Sequence, residues 1–303
     1  MSRWLEEMIR VLVPYYLVIL PAAVGIFLLE LLLLGWKRSS LHALVDPGNR
    51  SARFDLYFSL SSHLGLRPIL GNLLTFGLST YACRSIRIRF PSPWVSIDHH
   101  PVMVAIFGFL VYELAYYAFH RLSHSWRPLW ELHEFHHAAT GFTGFSGDRV
   151  HPVETYLFDI VFAGVSALAG ASLFEFAQGR ALYAAYLILI HSNLRWNWGW
   201  FGDFVLVSPA NHRLHHSDLP EHRDRNFSDV LPIFDWIFGT RSRHPHPDPV
   251  IEDRLYYHRD PWWKDIFTSY ARSIRALVSF RRSALGNRNL DSSPGILEVQ
   301  NPK

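Results

Sequence analysis

Residues 11–29 carry no charge, and the apolar run continues past Glu30 to Trp36 before Lys37 and Arg38 close it. A helix that crosses a bilayer needs about 20 residues, so this stretch predicts a membrane anchor. Arg3 and Arg10 precede it as they would precede a secretory signal, yet the run is longer than such a signal and has no small-residue cleavage site. Residues 56–83 are a weaker candidate, interrupted by His63, Arg67 and Pro68, and residues 101–120 a stronger one. Glu113 lies within that second run and is expected to face the protein interior. After a polar stretch at 121–152, apolar runs at 153–176 and 181–194 flank a Gln178-Gly179-Arg180 break and predict a helical hairpin.

A hairpin that enters the membrane and returns puts residues 120–152, His191 and everything after Arg195 on one face. The loop 37–55, with Lys37, Arg38, Arg50 and Arg53, falls on the same face, which the positive-inside rule makes cytoplasmic. Arg84, Arg87 and Arg89 fall on the opposite face, against that rule.

Composition agrees with membrane residence. Of 303 residues 49% are hydrophobic and 18% charged, against about 25% charged in a typical globular domain, which excludes disorder and collagen-like repeats. No Pro/Gly/Ser-rich linker divides the chain. It reads as one domain, with N-terminal membrane helices and a loop at 1–100, a catalytic portion at 101–240, and an amphipathic segment with a polar tail at 241–303. The formal charge of +3 suits an anionic membrane surface more than nucleic acid. Cys83 is the single cysteine, so the chain has no internal disulfide and no cysteine-held zinc or iron–sulfur cluster. Any metal is therefore held by nitrogen and oxygen.

The candidate chemistry lies in three boxes among 18 histidines: HRLSH at 120–124, HEFHH at 133–137 and HRLHH at 212–216. In a helix, residues three and four apart share a face, so each box can aim its rings at one ion. The first box ends an apolar helix, the second follows Pro128, and the third follows Ser208-Pro209, a cap and first-turn proline. His120, His124, His133, His136, His137, His212, His215 and His216 exceed what one ion uses, so two metals are the economical reading. His191 arrives at the same interface as a ninth candidate. His151, Asn193 and Glu154 are candidate partners of the ligands, with Glu154 placed to hold the His151 ring. His42, His63, His99, His100, His222, His244, His246 and His258 read as ordinary core or surface residues.

Neutral imidazoles suit iron, copper, zinc and nickel. Zinc hydrolysis generally uses one ion and three protein ligands, so the larger set points to oxygen activation. The fold class that follows is all-α: an integral membrane helical bundle with a cytoplasmic histidine-rich helical cap holding a di-metal centre.

These residues resemble the fatty acid hydroxylase superfamily, the sterol desaturase family of membrane di-iron enzymes. The resemblance covers residues 100–240: the boxes, HSNLRW at 191–196, SPANHRLHHS at 208–217 and NFSDVLPIFDWIFGT at 226–240. It implies that the eight box histidines hold two iron ions, with His191 a less secure ninth ligand. Arg195 stands where some members have a further histidine, with His151 a candidate substitute for a tenth. The segment 226–240 is implied to close the metal site. The resemblance further implies hydroxylation or desaturation of a lipid with dioxygen and a separate electron-donor protein or reductase. The location implied is multi-pass in a bacterial inner membrane or endoplasmic reticulum, with the metal site cytoplasmic. The alternative is a non-redox membrane metal-binding or divalent-cation transport protein, whose ionisable residues would line a path across the bilayer.

Overall fold

The computed structural model describes residues 3–75, 77, 81, 85–86, 88–89, 101–169, 173–242, 257 and 261–290. Cys83, Arg84, Arg87, His99, His100, His244, His246 and His258 lie outside the described residues. Every regular element among the described residues is helical.

Helix α1 (Arg3–Leu34) contains the 23-residue apolar stretch Leu12–Leu34, the one helix among the described residues long and apolar enough to cross a membrane. It keeps Pro14 and Pro21 within its length, which membrane helices tolerate when neighbouring groups satisfy the freed carbonyls. One side of α1, with Ile19, Phe27 and Glu30, is buried, while Leu17 and Leu32 are 69% and 81% exposed. Its packing partner is α8 (Leu173–Ile190).

After α1 come α2 (Ser40–Val45), α3 (Arg50–His63) and α4 (Leu66–Leu74), with Ser39 and Asn49 capping α2 and α3 through their side chains. The weaker membrane candidate at 56–83 is thus not one span. Leu64 and Gly65, the latter at φ +79°, separate helices of 14 and 9 residues, each short of the bilayer thickness. Helix α4 lies against α7 (Pro152–Ala169) at Gly71, where a Cβ would meet the Tyr156 ring at 2.3 Å.

Helix α5 (Pro101–Ser125) carries the first box in its last turns. Glu113 on it faces inward as expected: its Oε2 accepts the N–H groups of Val230 and Leu231 at 3.3 and 3.0 Å. Helix α6 (Arg127–His137) carries the second box, with Pro128 in its first turn.

The expected break at Gln178-Gly179-Arg180 is absent, for all three residues lie inside α8. An interior glycine costs only about 1 kcal/mol relative to alanine, and Arg180 has partners in helical register, Asp159 at 3.8 Å and the Tyr183 ring at 5.9 Å. Helix α7 ends at Ala169 and α8 begins at Leu173.

The remaining helices are α9 (Trp200–Phe204), α10 (Pro209–His215), α11 (Ile233–Ile237) and α12 (Trp262–Leu290). Ser208 caps α10 by accepting the Asn211 N–H, and Pro209 opens the helix. Helix α12 packs along α6: Arg272 pairs with Glu131 at 2.8 Å and with Glu134, and the Ser273 hydroxyl donates to the Pro128 carbonyl. Its outer side exposes Phe267, Ile274, Leu277 and Phe280.

Beneath the second box sits a buried ion pair. Arg149 donates from Nε to Asp55 Oδ1 at 2.5 Å and from Nη2 to the Ser51 carbonyl at 2.9 Å, and stacks on Phe54. Removing one partner of such a pair strands the other charge, at a cost of about 3–5 kcal/mol. Asp55→Asn is accordingly expected to lower the stability of the detergent-solubilised protein by that amount in a denaturant titration.

Candidate metal centre

Nine histidines converge in two adjacent groups. Ligand atoms of His120, His124, His133, His137 and His215 lie within 4.8 Å of one another, and so do those of His136, His191, His212 and His216. The second box is thereby divided: His133 and His137 belong to one group and His136 to the other. Likewise His215 and His216, successive in sequence, turn to different groups at the C-terminus of α10.

Seven of the nine rings are oriented by what lies at Nδ1. Nδ1 of His120 donates to the Phe227 carbonyl at 2.7 Å, that of His136 to Arg149 O at 3.1 Å, that of His191 to Leu187 O at 3.0 Å, and that of His215 to Arg225 O at 2.9 Å. A carbonyl only accepts, so these four rings carry their proton on Nδ1 and present a bare lone pair at Nε2. Carboxylates serve three more: Glu154 lies 2.5 Å from His133 Nδ1, Asp224 3.4 Å from His124 Nδ1, and Asp229 3.8 Å from His212 Nδ1. Such backbone and carboxylate partners are the usual means of fixing a metal-binding imidazole.

The inward nitrogens then face one another. Nε2 of His136 and Nε2 of His191 are 3.4 Å apart, both of them lone pairs. Nε2 of His124, His137 and His215 is buried with no hydrogen-bond partner, and His216 has none at either nitrogen. Buried polar atoms are normally satisfied, and opposed lone pairs repel. A cation in each group resolves both problems, so the donor set fits two ions held by nitrogen. Burial also holds the rings neutral, the state that binds metal: it pushes His136, His137, His212 and His216 well below the ordinary imidazole value and His215 down to about 3.

Residues 105–240, which include all nine histidines, match the fatty acid hydroxylase family. The chain is 28% identical over 234 residues to an alkylglycerol monooxygenase of Danio rerio, covering 76% of this chain and 48% of that protein. It is 31% identical over 143 residues to an ornithine lipid hydroxylase of Rhizobium tropici, covering 47% and 43%, and 23% identical over 169 residues to a methylsterol monooxygenase of Arabidopsis thaliana, covering 55% and 62%. The chain thus spans less than half of the first two relatives' length. No solved structure matches it.

In the matched segment the residues flanking the boxes divide by position. Glu154 holds His133 rather than His151. His151 is fully buried but apart from both groups, with Nε2 donating to Ile266 O at 3.1 Å and Nδ1 accepting the Val153 N–H at 3.2 Å. Asn193 gives its N–H to Glu30 at 2.6 Å. The segment 226–240 closes over the first group, with the Phe227 ring against His120, His124 and His215.

Sequence reasoning missed Asp224, Asp229 and Glu30. Glu30, on α1, also accepts from the Ser40 N–H at 2.6 Å and so ties the anchor helix to the loop after His191. A carboxylate within a long apolar run was the available signal.

Two cavities reach the centre. One, of about 430 Å³, is polar and lined by His124, Trp130, His137, His215, His216 and Asp224. The other, of about 80 Å³, touches His133, His136 and His191 from the side of α1, α5, α7 and α8.

The depressed imidazole values fix a pH dependence for the metal-free protein. The unfolded rings protonate near pH 6.5 and the folded ones well below it, so the unfolded state binds more protons in acid and stability falls as pH falls. Each such ring contributes about 1.4 kcal/mol per pH unit below about 6.5. Denaturant titrations of metal-free protein at neutral and mildly acidic pH are expected to show this steep loss; a flat profile would mean that the rings are not buried as neutral groups.

Proposed function

We propose that the protein is a membrane-bound di-iron oxygenase that hydroxylates, or desaturates, a lipid with dioxygen and electrons from a separate donor protein. The observation that carries this reading is the pair of adjacent all-nitrogen groups with opposed lone pairs, inside a segment of the fatty acid hydroxylase family. The names of the relatives, which specify alkylglycerol, ornithine lipid and methylsterol, support a lipid substrate.

On this reading His120, His124, His133, His137 and His215 hold one iron, and His136, His191, His212 and His216 hold the other. When bound, the irons supply the activation of dioxygen. The chain's part is to orient seven of the nine rings through Nδ1, and to keep the ligand atoms in a buried setting where bulk water does not compete. Hydroxylation puts one oxygen atom into a C–H bond and releases the other as water, which requires electrons and protons from outside the lipid.

The catalytic unit is residues 101–240, carried by the N-terminal helices at 1–100 and buttressed by the segment 241–303. The fold is read as a multi-pass bundle with the metal site in a cytoplasmic cap, in a bacterial inner membrane or the endoplasmic reticulum. The exposed apolar residues of α1 and α5, such as Leu17, Leu32, Val102 and Phe107, support lipid contact, as do the basic residues at 37–53 for a cytoplasmic loop. A cation carrier would space its ligands along a route through the bilayer, whereas these nine lie in two adjoining groups.

Purified protein is expected to hold about two irons per chain, the number of groups that the donor set forms. His136→Ala and His215→Ala, one from each group, are each expected to lose iron and to lower dioxygen-dependent product by more than about 100-fold. Full iron loading with undiminished turnover in both variants would refute the assignment, and zinc content with ion flux and no oxidation would favour the carrier. For topology, Asp224→Cys in a Cys83→Ser background is expected to react with a membrane-impermeant maleimide only from the cytoplasmic side.

A further inference from the structure

The smaller cavity is the one whose walls come from the apolar helices, yet its lining is not that of a slot for bare hydrocarbon. Beside Leu187 and Phe158 it presents Arg67, Arg180 and the phenols of Tyr15 and Tyr183, together with the carboxylates of Asp148, Glu154 and Asp229, of which Asp148 is engaged by Arg67, Glu154 by His133 and Asp229 by Tyr183. Ionisable side chains at such depth mark a functional path by default, and two of these carry unspent donors.

Arg67, in the first turn of α4, donates from Nη1 to the Asp148 carbonyl at 2.6 Å and lies 4.0 Å from the Asp148 carboxylate. Its Nε is buried and finds no acceptor among the described residues. Tyr15, on α1, stands edge-on to Tyr16 at 5.4 Å, and its hydroxyl makes no hydrogen bond among the described residues. Both side chains line the same cavity. A guanidinium Nε–H and a phenol O–H that converge on one space call for an acceptor oxygen there.

The position of this pair relative to the metal centre follows from Gly147. A Cβ on that residue would come within 3.0 Å of His191 Nδ1, and the next residue, Asp148, is the one Arg67 grips. The guanidinium contact is therefore one residue, about 3.8 Å of chain, from the residue that abuts a histidine of the second group. A separate space of about 20 Å³, room for about one water molecule, adjoins Gly147 and Asp148 and is lined also by Ile19, His63 and Leu187.

We infer that Arg67 and Tyr15 form a head-group subsite that hydrogen-bonds an acceptor oxygen of an oxygen-substituted lipid, so that oxidation falls close to the head group rather than far along the chain. This rests on the lipid-oxygenase reading above. The shared chemistry is the acceptor oxygen, which an ether, a carboxylate or a phosphate supplies equally; Arg is the side chain best suited to all three.

The test is equilibrium binding to the full-length, iron-loaded protein in detergent, with probes of one chain length: an alkylglycerol ether, a fatty acid, an alkyl phosphate and the plain alkane. At least one oxygen-bearing probe is expected to bind about 10-fold or more tightly than the alkane, and the one that does identifies the source. Tyr15→Phe is expected to weaken that probe about 5-fold and Arg67→Leu about 10-fold, the loss of one and of one charged hydrogen bond respectively, with alkane binding unchanged. Equal binding of alkane and head-group lipids, or indifference of the preferred probe to Tyr15→Phe, overturns the subsite. Because Arg67 also holds the Asp148 carbonyl, Arg67→Leu can fail to fold; Tyr15→Phe removes a hydroxyl bonded to no described residue and then decides alone. Iron content and oxygen-dependent turnover of the same preparations keep the two readings apart. Two irons with turnover but no head-group preference overturn only the subsite, whereas wild-type protein lacking iron overturns the earlier reading while the binding series still decides this one.

Discussion

The structure depends on burying nine imidazoles with their inward nitrogens bare. A buried polar atom must be satisfied or costs about 1–3 kcal/mol, and a ring whose Nε2 is reserved for metal has only Nδ1 to offer the protein. Much of the architecture can be understood as supplying acceptors at those positions. Four are main-chain carbonyls, of Arg149, Leu187, Arg225 and Phe227, and only that of Leu187 comes from a long helix. The other three must be held still by their own loops.

Buried carboxylates do that holding. Asp235 accepts the N–H groups of Phe227 and Ser228 at 2.8 and 2.9 Å and the Thr240 hydroxyl at 2.6 Å, which fixes the Phe227 carbonyl over His120. Asp55 grips Arg149 and the Ser146 hydroxyl, which fixes the Arg149 carbonyl under His136. Glu30 reaches from the apolar anchor to the Asn193 N–H, steadying the turn that follows His191. The acids are thus placed one step outside the ring of histidines, and each would be costly to bury without the bonds it accepts.

The boxes were legible in the sequence because helical spacing makes i, i+3 and i+4 histidines share a face. Serine and proline at 208–209 announced α10 for local reasons that the structure retains. The division of each HxxHH box between the two groups was not legible, since it depends on how α5, α6 and the end of α8 approach one another. Nor were the acceptors: a backbone carbonyl has no residue signature, so Arg149 and Phe227 carried no sign of their task. The break at Gly179 failed for the converse reason, as a local propensity of about 1 kcal/mol yielded to the pairing of Arg180 with Asp159 and Tyr183. Glu154 was assigned to the nearer histidine in sequence, His151, whereas the fold brings it to His133 across the α6–α7 packing.

The same constraint ties folding to metal. Without cations, the Nε2 atoms of His136 and His191 oppose each other across 3.4 Å, and those of His124, His137 and His215 stay buried and unbonded. The scaffold of carboxylates and carbonyls opposes relief by rotation, because turning His120, His133, His136, His191 or His215 gives up its Nδ1 bond. Rigidity that would be a defect in an apolar core is what preserves the ligand geometry here. On the di-iron reading proposed above, the free energy of binding two ions would in part be folding free energy, and the polar cavity lined by His124, His137, His215 and His216 would be their route in.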